Sequence, residues 1–215
     1  MNKKLIVFIS AILVAALACS FGGSTDIGGA DVLFQDDFSS TGSGWDRDDW
    51  ENGLTDYAND AYRIYVKQPQ YDIWALVDKS LPGDVKIEVD ATKTSGPDVN
   101  LFGVICRYTE NSDAETFDFY YLVVGSDGYA AIILIDDGQS DLLTETYTTD
   151  IVNPSSPNRI SAVCNGSSLA LSVNGQQVLS AEDSTLTSGD VGLVAGTFDE
   201  ANVDVSFDNF VVTRP

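Results

Sequence analysis

From residue 32 onward, the chain alternates short apolar runs with turn-forming residues. The runs are rich in Val, Ile, Phe and Tyr and are bounded by Gly, Asp, Asn and Ser, which is typical of β-strands. Outside the first 19 residues, no stretch of helical length repeats its apolar positions every three to four residues. We predict strands at 32–38, 61–67, 72–80, 85–92, 101–108, 117–124, 129–135, 142–148, 159–164, 168–173, 176–181, 190–197 and 203–213.

The most apolar part of this pattern lies between residues 101 and 136. It contains the runs LFGVICRY, FDFYYLVV and YAAIILID, of which the last two are joined by the turn GSDG. These two runs are too apolar for a sheet with one face open to water, so we expect them at the centre of a two-layer structure. Asn174-Gly175 is the strongest hairpin signal, and residues 42–60 are predicted to form a long acidic loop. About a dozen short strands at this spacing predict an all-β, antiparallel, two-sheet sandwich or jelly roll.

The first 19 residues have the organisation of a signal peptide. Lys3 and Lys4 precede an apolar run at 5–17, which is shorter than the roughly 20 residues of a membrane span. Small residues directly before Cys19 resemble a bacterial lipobox, in which Cys19 would be lipidated and become the mature N-terminus. Ordinary signal-peptidase cleavage is the alternative. Residues 20–30 are Gly/Ser-rich and predict a flexible tether, which leaves 31–215 as the folded domain.

These features predict a cell-envelope protein that is anchored to the membrane by lipid and faces outside the cytoplasm. In that oxidising location Cys106 and Cys164 remain as an even pair. Each lies on the same strand face as apolar residues, Val104 in one case and Ala162 in the other, so both thiols are expected to point into the core. We therefore predict a disulfide between them, with two buried free thiols as the alternative.

The charge of the chain excludes several classes of partner. The formal net charge is −22 and the chain has no histidine. Such a charge opposes binding to nucleic acid and docking on anionic lipid, so the lipid anchor is the only membrane contact that we predict. The absence of histidine removes the commonest general base and metal ligand.

Four segments in this order resemble a known fold family: FQDDFSS…GW, FGVICRY with FYYLVV, NRISAVCNGSSLALSVNGQQV, and GDVGLVAGTF…VDVSFDNFVV. Together they resemble the concanavalin A-like lectin/glucanase jelly roll, in the laminin-G-like form common in bacterial surface lipoproteins. The resemblance implies two curved antiparallel sheets and, in many members, carbohydrate binding on the concave face. Other members of the family have no known ligand.

The resemblance also raises the possibility of glycoside hydrolysis, which the residues do not favour. Related glycosidases carry E-x-D-x-x-E on one strand. This chain has Glu88 and Asp90 in the first half of that pattern, but Lys93 stands where the second glutamate belongs. Retaining hydrolysis needs two carboxyl groups on opposite sides of the bond that is cleaved. The interpretation that these residues form a solvated strand face is therefore preferred, and no catalytic residue is predicted.

A structural calcium ion is a further implication of the fold. In related jelly rolls, acidic residues on the first and last strands share such an ion, and the matching positions here are Asp37 and Asp208. The apolar phase also slips near Asp208, between Phe207 and Phe210, which requires a bulge. A simple bulge without calcium is the alternative, and no other cofactor is predicted.

We expect non-catalytic binding of an extracellular glycan or other polymer, with adhesion to protein and degenerate glycoside hydrolysis as alternatives. Sugars stack on aromatic rings beside polar groups. Trp74 lies in an apolar run and is predicted to belong to the core. The predicted ligand contacts are Arg107, Tyr120, Tyr121, Trp45 and Trp50.

Overall fold

The computed structural model describes residues 31–150 and 155–215, in which fifteen β-strands form two antiparallel sheets. The predicted signal peptide, Cys19 and the tether lie outside the described residues. In chain order the strands are β1 (Val32–Asp36), β2 (Asp48–Trp50), β3 (Gly53–Tyr57), β4 (Tyr62–Val66), β5 (Asp72–Leu76), β6 (Val85–Ser95), β7 (Asn100–Asn111), β8 (Thr116–Val124), β9 (Tyr129–Asp136), β10 (Gln139–Tyr147), β11 (Asn158–Asn165), β12 (Ser168–Val173), β13 (Gln176–Glu182), β14 (Asp190–Thr197) and β15 (Val203–Thr213).

The two sheets have nine and six strands. The nine-stranded sheet has the order β13-β12-β11-β6-β15-β4-β3-β2, and β1 pairs with the end of β15; the six-stranded sheet has the order β10-β9-β8-β7-β14-β5. This arrangement confirms the predicted all-β sandwich. Within the described ranges, no helix is long and apolar enough to cross a membrane.

Alternating apolar positions build the core between the sheets. On β6, Val85, Ile87, Val89 and Ala91 are buried while the residues between them are partly exposed. This is the expected result of a period of two residues along a strand. The predicted hairpin at Asn174-Gly175 joins β12 to β13.

The acidic segment 42–60 contains more structure than its sequence predicts. Strands β2 and β3 form a hairpin there, and β3 extends the nine-stranded sheet beyond β4. The buried positions of β3 are Gly53 and Thr55. Neither residue is strongly apolar, so the segment lacks the pattern that identifies a strand, and its pairing with β4 is what orders it.

A disulfide bond joins Cys106 of β7 to Cys164 of β11, with 6.9 Å between their Cα atoms. Both residues are fully buried. The predicted pairing is thus present in the structure. Because β7 and β11 belong to different sheets, the bond links the two layers of the sandwich.

The predicted phase slip near Asp208 is a β-bulge. The register between β15 and β6 shifts between Asp208 and Val211, and Asn209 has a φ of 52°. Asparagine tolerates this left-handed backbone conformation better than most residues. After the bulge, Phe210 and Val212 return to the core.

Candidate functional site

The outer face of the six-stranded sheet is apolar, although it points away from the core between the sheets. Strands β5, β7, β8, β9 and β14 place a second hydrophobic cluster there. Its members are Leu101, Ile105, Tyr108, Phe119, Tyr121, Val123, Ala131 and Val194, with Trp74, Leu76, Phe117, Tyr129, Ile133 and Ile135 packed against them. We call this surface the aromatic face. It explains why the runs that form β8 and β9 are apolar at nearly every position.

Five rings form a continuous cluster in the middle of the aromatic face. The centroid of Trp74 lies 5.2 Å from that of Phe117 and 5.6 Å from that of Phe119. Tyr108 stacks on Phe119 at 5.7 Å, and Phe119 meets Tyr121 at 4.6 Å. Because Trp74 and Phe117 are only partly buried, the cluster offers ring surface to a ligand.

Two adjoining clefts open on this cluster, and both are lined by Asp72 and Trp74. One measures about 470 Å³ and the other about 260 Å³. The larger is also lined by Asp46, Asp48, Trp50, Asn52, Tyr71, Ile73, Leu76, Tyr108 and Glu110. The smaller is also lined by Leu101, Phe117, Phe119, Tyr121, Ile133, Ile135, Gly138 and Ser140. Concave, largely apolar surfaces with a few polar groups are typical of ligand sites.

Asp72 is the polar group at the junction of the two clefts. It pairs with Gly196 in the register between β5 and β14. The Tyr121 hydroxyl donates a hydrogen bond to Asp72 Oδ2 at 3.4 Å. Burial raises the pKa of Asp72 from its ordinary value of 3.8 to about 6, and the bond from Tyr121 opposes this shift. Burial, followed by the nearby Asp72 charge, raises the pKa of Tyr121 well above its usual value.

The remaining charges at the larger cleft are all negative. Asp46, Asp48 and Glu110 line it together with Asp72, and none of its described lining residues is Lys or Arg. Asp46 is held in place because its Oδ2 atom accepts a hydrogen bond from the Leu76 amide at 3.0 Å. The electrostatic potential of the cleft therefore disfavours an anionic ligand.

Two of the five predicted ligand residues lie at this site. Tyr121 belongs to the ring cluster, and Trp50 lines the larger cleft with 45% of its surface exposed. The structure brings Trp50 there through the hairpin of β2 and β3.

Trp45 and Tyr120 lie in the core between the sheets, so their predicted position on a ligand face is corrected. Trp45 is 4% exposed, and its Nε1 atom donates a hydrogen bond to Asp36 Oδ2 at 3.0 Å. Tyr120 pairs in register with Cys106 and is fully buried, with its hydroxyl bonded to Asp183. Its strand neighbour Tyr121 has the opposite phase and therefore reaches the aromatic face.

Arg107 is also corrected, because a bulge changes the phase of β7. The register with β8 shifts between Cys106 and Thr109, and Arg107 has a φ of 59°. The inserted residue lets Tyr108 take the outward position that simple alternation assigns to Arg107. The Arg107 guanidinium is buried and donates to the Gly83 carbonyl at 3.0 Å and the Leu186 carbonyl at 2.7 Å.

Trp74 is the site residue that the sequence interpretation missed. It was expected in the core, but Ile73, Ala75 and Val77 are the core residues of this run. Trp74 therefore lies on the outer face with Asp72. The signal that could have identified it is the shared phase of a tryptophan and an aspartate in an otherwise apolar strand.

The residues predicted to share calcium are occupied by local contacts. Asp37 Oδ1 accepts bonds from the Ser39 amide at 3.1 Å and the Ser39 hydroxyl at 2.6 Å. Asp208 Oδ1 accepts the Asn209 amide at 2.7 Å within the bulge. In the part of the chain that the structure describes, no group of three or more acidic or cysteine side chains is placed to hold a metal ion. The bulge that was the alternative is present, and calcium binding by Asp37 and Asp208 stays a prediction.

The carboxylates compared with a glycosidase motif lie on the other sheet. Glu88 pairs with Lys86 at 3.1 Å, and Asp90 pairs with Arg159 at 3.3 Å. Lys93 is buried and donates to the Gly96 carbonyl at 3.0 Å. Because β6 lies in the nine-stranded sheet, Glu88 and Asp90 are remote from the aromatic face.

No family model and no curated protein matches this chain. Solved structures with a similar fold include the carbohydrate-binding module CBM66 from Bacillus subtilis, with a TM-score of 0.61 and 17% identity over 80% of this chain and 96% of the module. A Bacillus subtilis protein of unknown function with a galectin-like fold has a TM-score of 0.67 and 13% identity, covering 86% of this chain and 96% of its own. The Bacillus licheniformis β-glucanase has a TM-score of 0.62 and 13% identity, covering 88% of this chain and 100% of its own.

These likenesses define the class of fold. The chain is a two-sheet antiparallel sandwich of the concanavalin A-like jelly-roll type, as its sequence predicts. At these levels of identity the comparisons establish the fold alone, and the same fold carries both binding modules and hydrolases.

Proposed function

We propose that this protein binds a neutral or cationic glycan without cleaving it, and that the aromatic face of the six-stranded sheet is the binding surface. The observation that carries the proposal is the cluster of five rings around Trp74, which borders two clefts on the outside of the sandwich. Stacking on such rings accommodates the apolar faces of sugar units, and a few polar groups at the edge fix their orientation. The fold likeness to a carbohydrate-binding module supports the same function.

The charge of the site narrows the class of glycan. The larger cleft is lined by four acidic residues, Asp46, Asp48, Asp72 and Glu110, and the whole chain carries a formal charge of −22. A polyanionic chain such as a uronic-acid polymer would be repelled at low salt. Neutral glucans and amino-sugar polymers experience no such repulsion.

Hydrolysis is the second candidate function, and one observation favours it. The pKa of Asp72 is raised by burial to about 6, which is the range of a general acid in glycoside hydrolysis. A retaining mechanism would also need a nucleophilic carboxylate about 5–5.5 Å from it. Release of reducing ends from mixed-linkage β-1,3-1,4-glucan over several days tests this candidate directly.

We also propose that the protein is held at the cell envelope by lipid on Cys19. The sequence of the first 19 residues supports this proposal, and the disulfide between Cys106 and Cys164 suits an oxidising compartment. Intact-mass measurement of the membrane fraction should show a diacylglycerol adduct on Cys19, and Cys19→Ser should release the protein or prevent its processing. A soluble product with an unmodified N-terminal cysteine would contradict the anchor.

Binding is tested by isothermal titration with four polymers of defined charge: laminarin and mixed-linkage β-glucan are neutral, chitosan is cationic and polygalacturonate is anionic. We expect binding to at least one of the first three and none to polygalacturonate. Trp74→Ala should weaken binding about tenfold or more, because truncating a central aromatic contact typically has an effect of this size.

The matched control for Trp74→Ala is Tyr65→Ala. Tyr65 is a partly buried aromatic residue on the outer face of the nine-stranded sheet, where it packs against Arg63 at 5.1 Å. Its removal should leave binding unchanged. If Tyr65→Ala weakens binding and Trp74→Ala does not, the glycan binds on the other sheet. If none of the four polymers binds, a protein-binding adhesive role becomes the better interpretation.

A further inference from the structure

Asp72 is in an unusual position for a carboxylate, because it begins the edge strand β5 and its side chain lies against the aromatic face. It lines both clefts together with Trp74. Its side chain lies above Gly196 of β14, where an added Cβ would come within 1.9 Å of Asp72 Oδ1 and 2.9 Å of a Leu101 methyl group. Glycine at position 196 therefore leaves the space in which the carboxylate lies.

The hydrogen-bonding capacity of this carboxylate is largely unused within the chain. An ionised carboxylate has about four acceptor positions. From the residues that the structure describes, the Asp72 side chain receives one hydrogen bond, from the Tyr121 hydroxyl at 3.4 Å. That distance exceeds the roughly 2.5–3.0 Å of a good O–H···O bond. No described Lys or Arg lines either cleft to compensate the charge.

A partly buried carboxylate with unused acceptor positions destabilises the folded protein unless a ligand donates hydrogen bonds to it. Removing a carboxylate from water without compensating bonds opposes folding, whereas other half-buried carboxylates in this protein have strong partners. Asp204, for example, accepts three bonds from Arg63 at 2.6–3.1 Å. Tyr121 and Gly196 hold the Asp72 carboxylate in one place without satisfying it.

We propose that Asp72 is the specificity-determining residue of the aromatic face, and that its carboxylate accepts hydrogen bonds from the hydroxyl groups of a sugar unit stacked on Trp74. This inference rests on the proposed glycan-binding function and adds to it the polar contact that distinguishes a sugar from an apolar ligand. Two neighbouring hydroxyls of one ring can donate to the two carboxylate oxygens, which fixes the orientation of that ring. A site built to bind hydroxyl groups discriminates strongly against analogues that lack them.

The raised pKa of Asp72 gives the proposed contact a pH dependence. The ionised carboxylate is the form that accepts two hydroxyl donors, so binding should weaken as the pH falls through about 6. Other titratable groups also line the two clefts from neighbouring elements, namely Asp46, Asp48, Tyr71, Tyr108, Glu110 and Tyr121. These groups are unchanged in an Asp72 variant, so a pH dependence of binding that persists in that variant would belong to one of them.

The experiment measures binding of laminarin and mixed-linkage β-glucan to the full chain at pH 7.5 and pH 5. We expect Asp72→Asn to weaken binding about tenfold at pH 7.5, as the loss of a charged hydrogen-bond acceptor does, and to remove the pH dependence. Glu88→Gln is the matched control, because Glu88 is a partly exposed carboxylate of β6 in the nine-stranded sheet and lines neither cleft. It should keep both the affinity and the pH profile of the natural protein.

An O-methylated form of the bound glucan, which lacks hydroxyl donors, provides a second measurement. It should bind the natural protein no better than it binds Asp72→Asn. If Asp72→Asn binds the glucan as tightly as the natural protein while Trp74→Ala does not, the role of Asp72 is refuted and the proposed function stands. If the natural protein binds neither glucan nor chitosan, the proposed function fails and the role of Asp72 fails with it.

Discussion

The two sheets pack on the same core, but their outer faces differ in polarity. The outer face of the nine-stranded sheet, which we call the charged face, carries ion pairs such as Arg63–Asp204 at 2.6 Å and Arg159–Asp90 at 3.3 Å. The outer face of the six-stranded sheet is the aromatic face, with the partly buried Asp72 carboxylate on its edge strand β5.

The faces differ in whether their polar groups are paired within the protein. On the charged face, opposite charges pair with one another, and the surface needs nothing further to be stable in water. On the aromatic face, parts of the Trp74 and Phe117 rings and an underused carboxylate remain accessible. Concentration of apolar groups on one outer surface is typical of an interaction site.

The strongest test of this comparison is to place a charge on each face. Phe119→Asp puts a carboxylate among the rings at a position that is 2% exposed, and we expect a loss of about 3–5 kcal/mol in the free energy of unfolding. Ser206→Asp puts the same group on the charged face, opposite Arg63 in the register, and should change stability by less than about 1 kcal/mol. Urea denaturation measures both, and equal effects would mean that the two faces do not differ in polarity as described.

The second test removes the covalent link between the two sheets. The disulfide closes a loop with a sequence separation of 58 residues, so replacing both cysteines with alanine should cost about 2–5 kcal/mol. Thermal unfolding of the double variant checks this. Glycan binding by the remaining folded fraction should be unchanged, because Cys106 and Cys164 point into the core; altered affinity would show that the link also shapes the aromatic face.

The third test concerns the Asp72 carboxylate. The pKa of Asp72 is higher in the folded protein, at about 6, than its ordinary value of 3.8, so the folded state holds more protons between these values and stability falls as the pH rises through this window. At pH 7 the free energy of unfolding of Asp72→Asn should therefore be about 1–2 kcal/mol higher than that of the natural protein. This difference should disappear near pH 4. Stability profiles that coincide at all pH values would contradict this assignment.

The smallest effect is expected on the charged face. Arg159→Ala removes the ion pair with Asp90 and a 2.9 Å bond to the Asn209 carbonyl. Because these groups are partly exposed, we expect a loss of less than about 1 kcal/mol and no change in glycan affinity. A tenfold loss of affinity in Arg159→Ala would show that the ligand binds on the charged face.

Much of the fold could be predicted from the sequence because its signals are local. A period of two residues identifies strands such as β6, and Asn174-Gly175 identifies a hairpin, without knowledge of any distant residue. The phases of Cys106 and Cys164 placed both thiols in the core, and the predicted oxidising location then favoured a disulfide between them. The hairpin of β2 and β3 could not be identified in this way, because the residues that it buries include Gly53 and Thr55.

The candidate site was harder to predict. It depends on which face of a strand each side chain points to, and on which of the two sheets the strand joins. Alternation assigned Arg107 to the outside, but a bulge shifts it inward and gives the outer position to Tyr108. An apolar run conceals which of its two faces meets the core, so Trp74 was assigned to the wrong side.

The sequence by itself determined that this protein is an all-β sandwich, that Cys106 and Cys164 face its core and that its charge is strongly negative. These properties follow from composition and short-range periodicity, which need no tertiary information. Only the tertiary structure decided that Trp74, Tyr121 and Asp72 form one surface. Those residues come from β5 and β8, which are separated in the sheet by β7 and β14. Their meeting depends on strand order and on the absence of a side chain at Gly196, and neither leaves a local pattern in the chain.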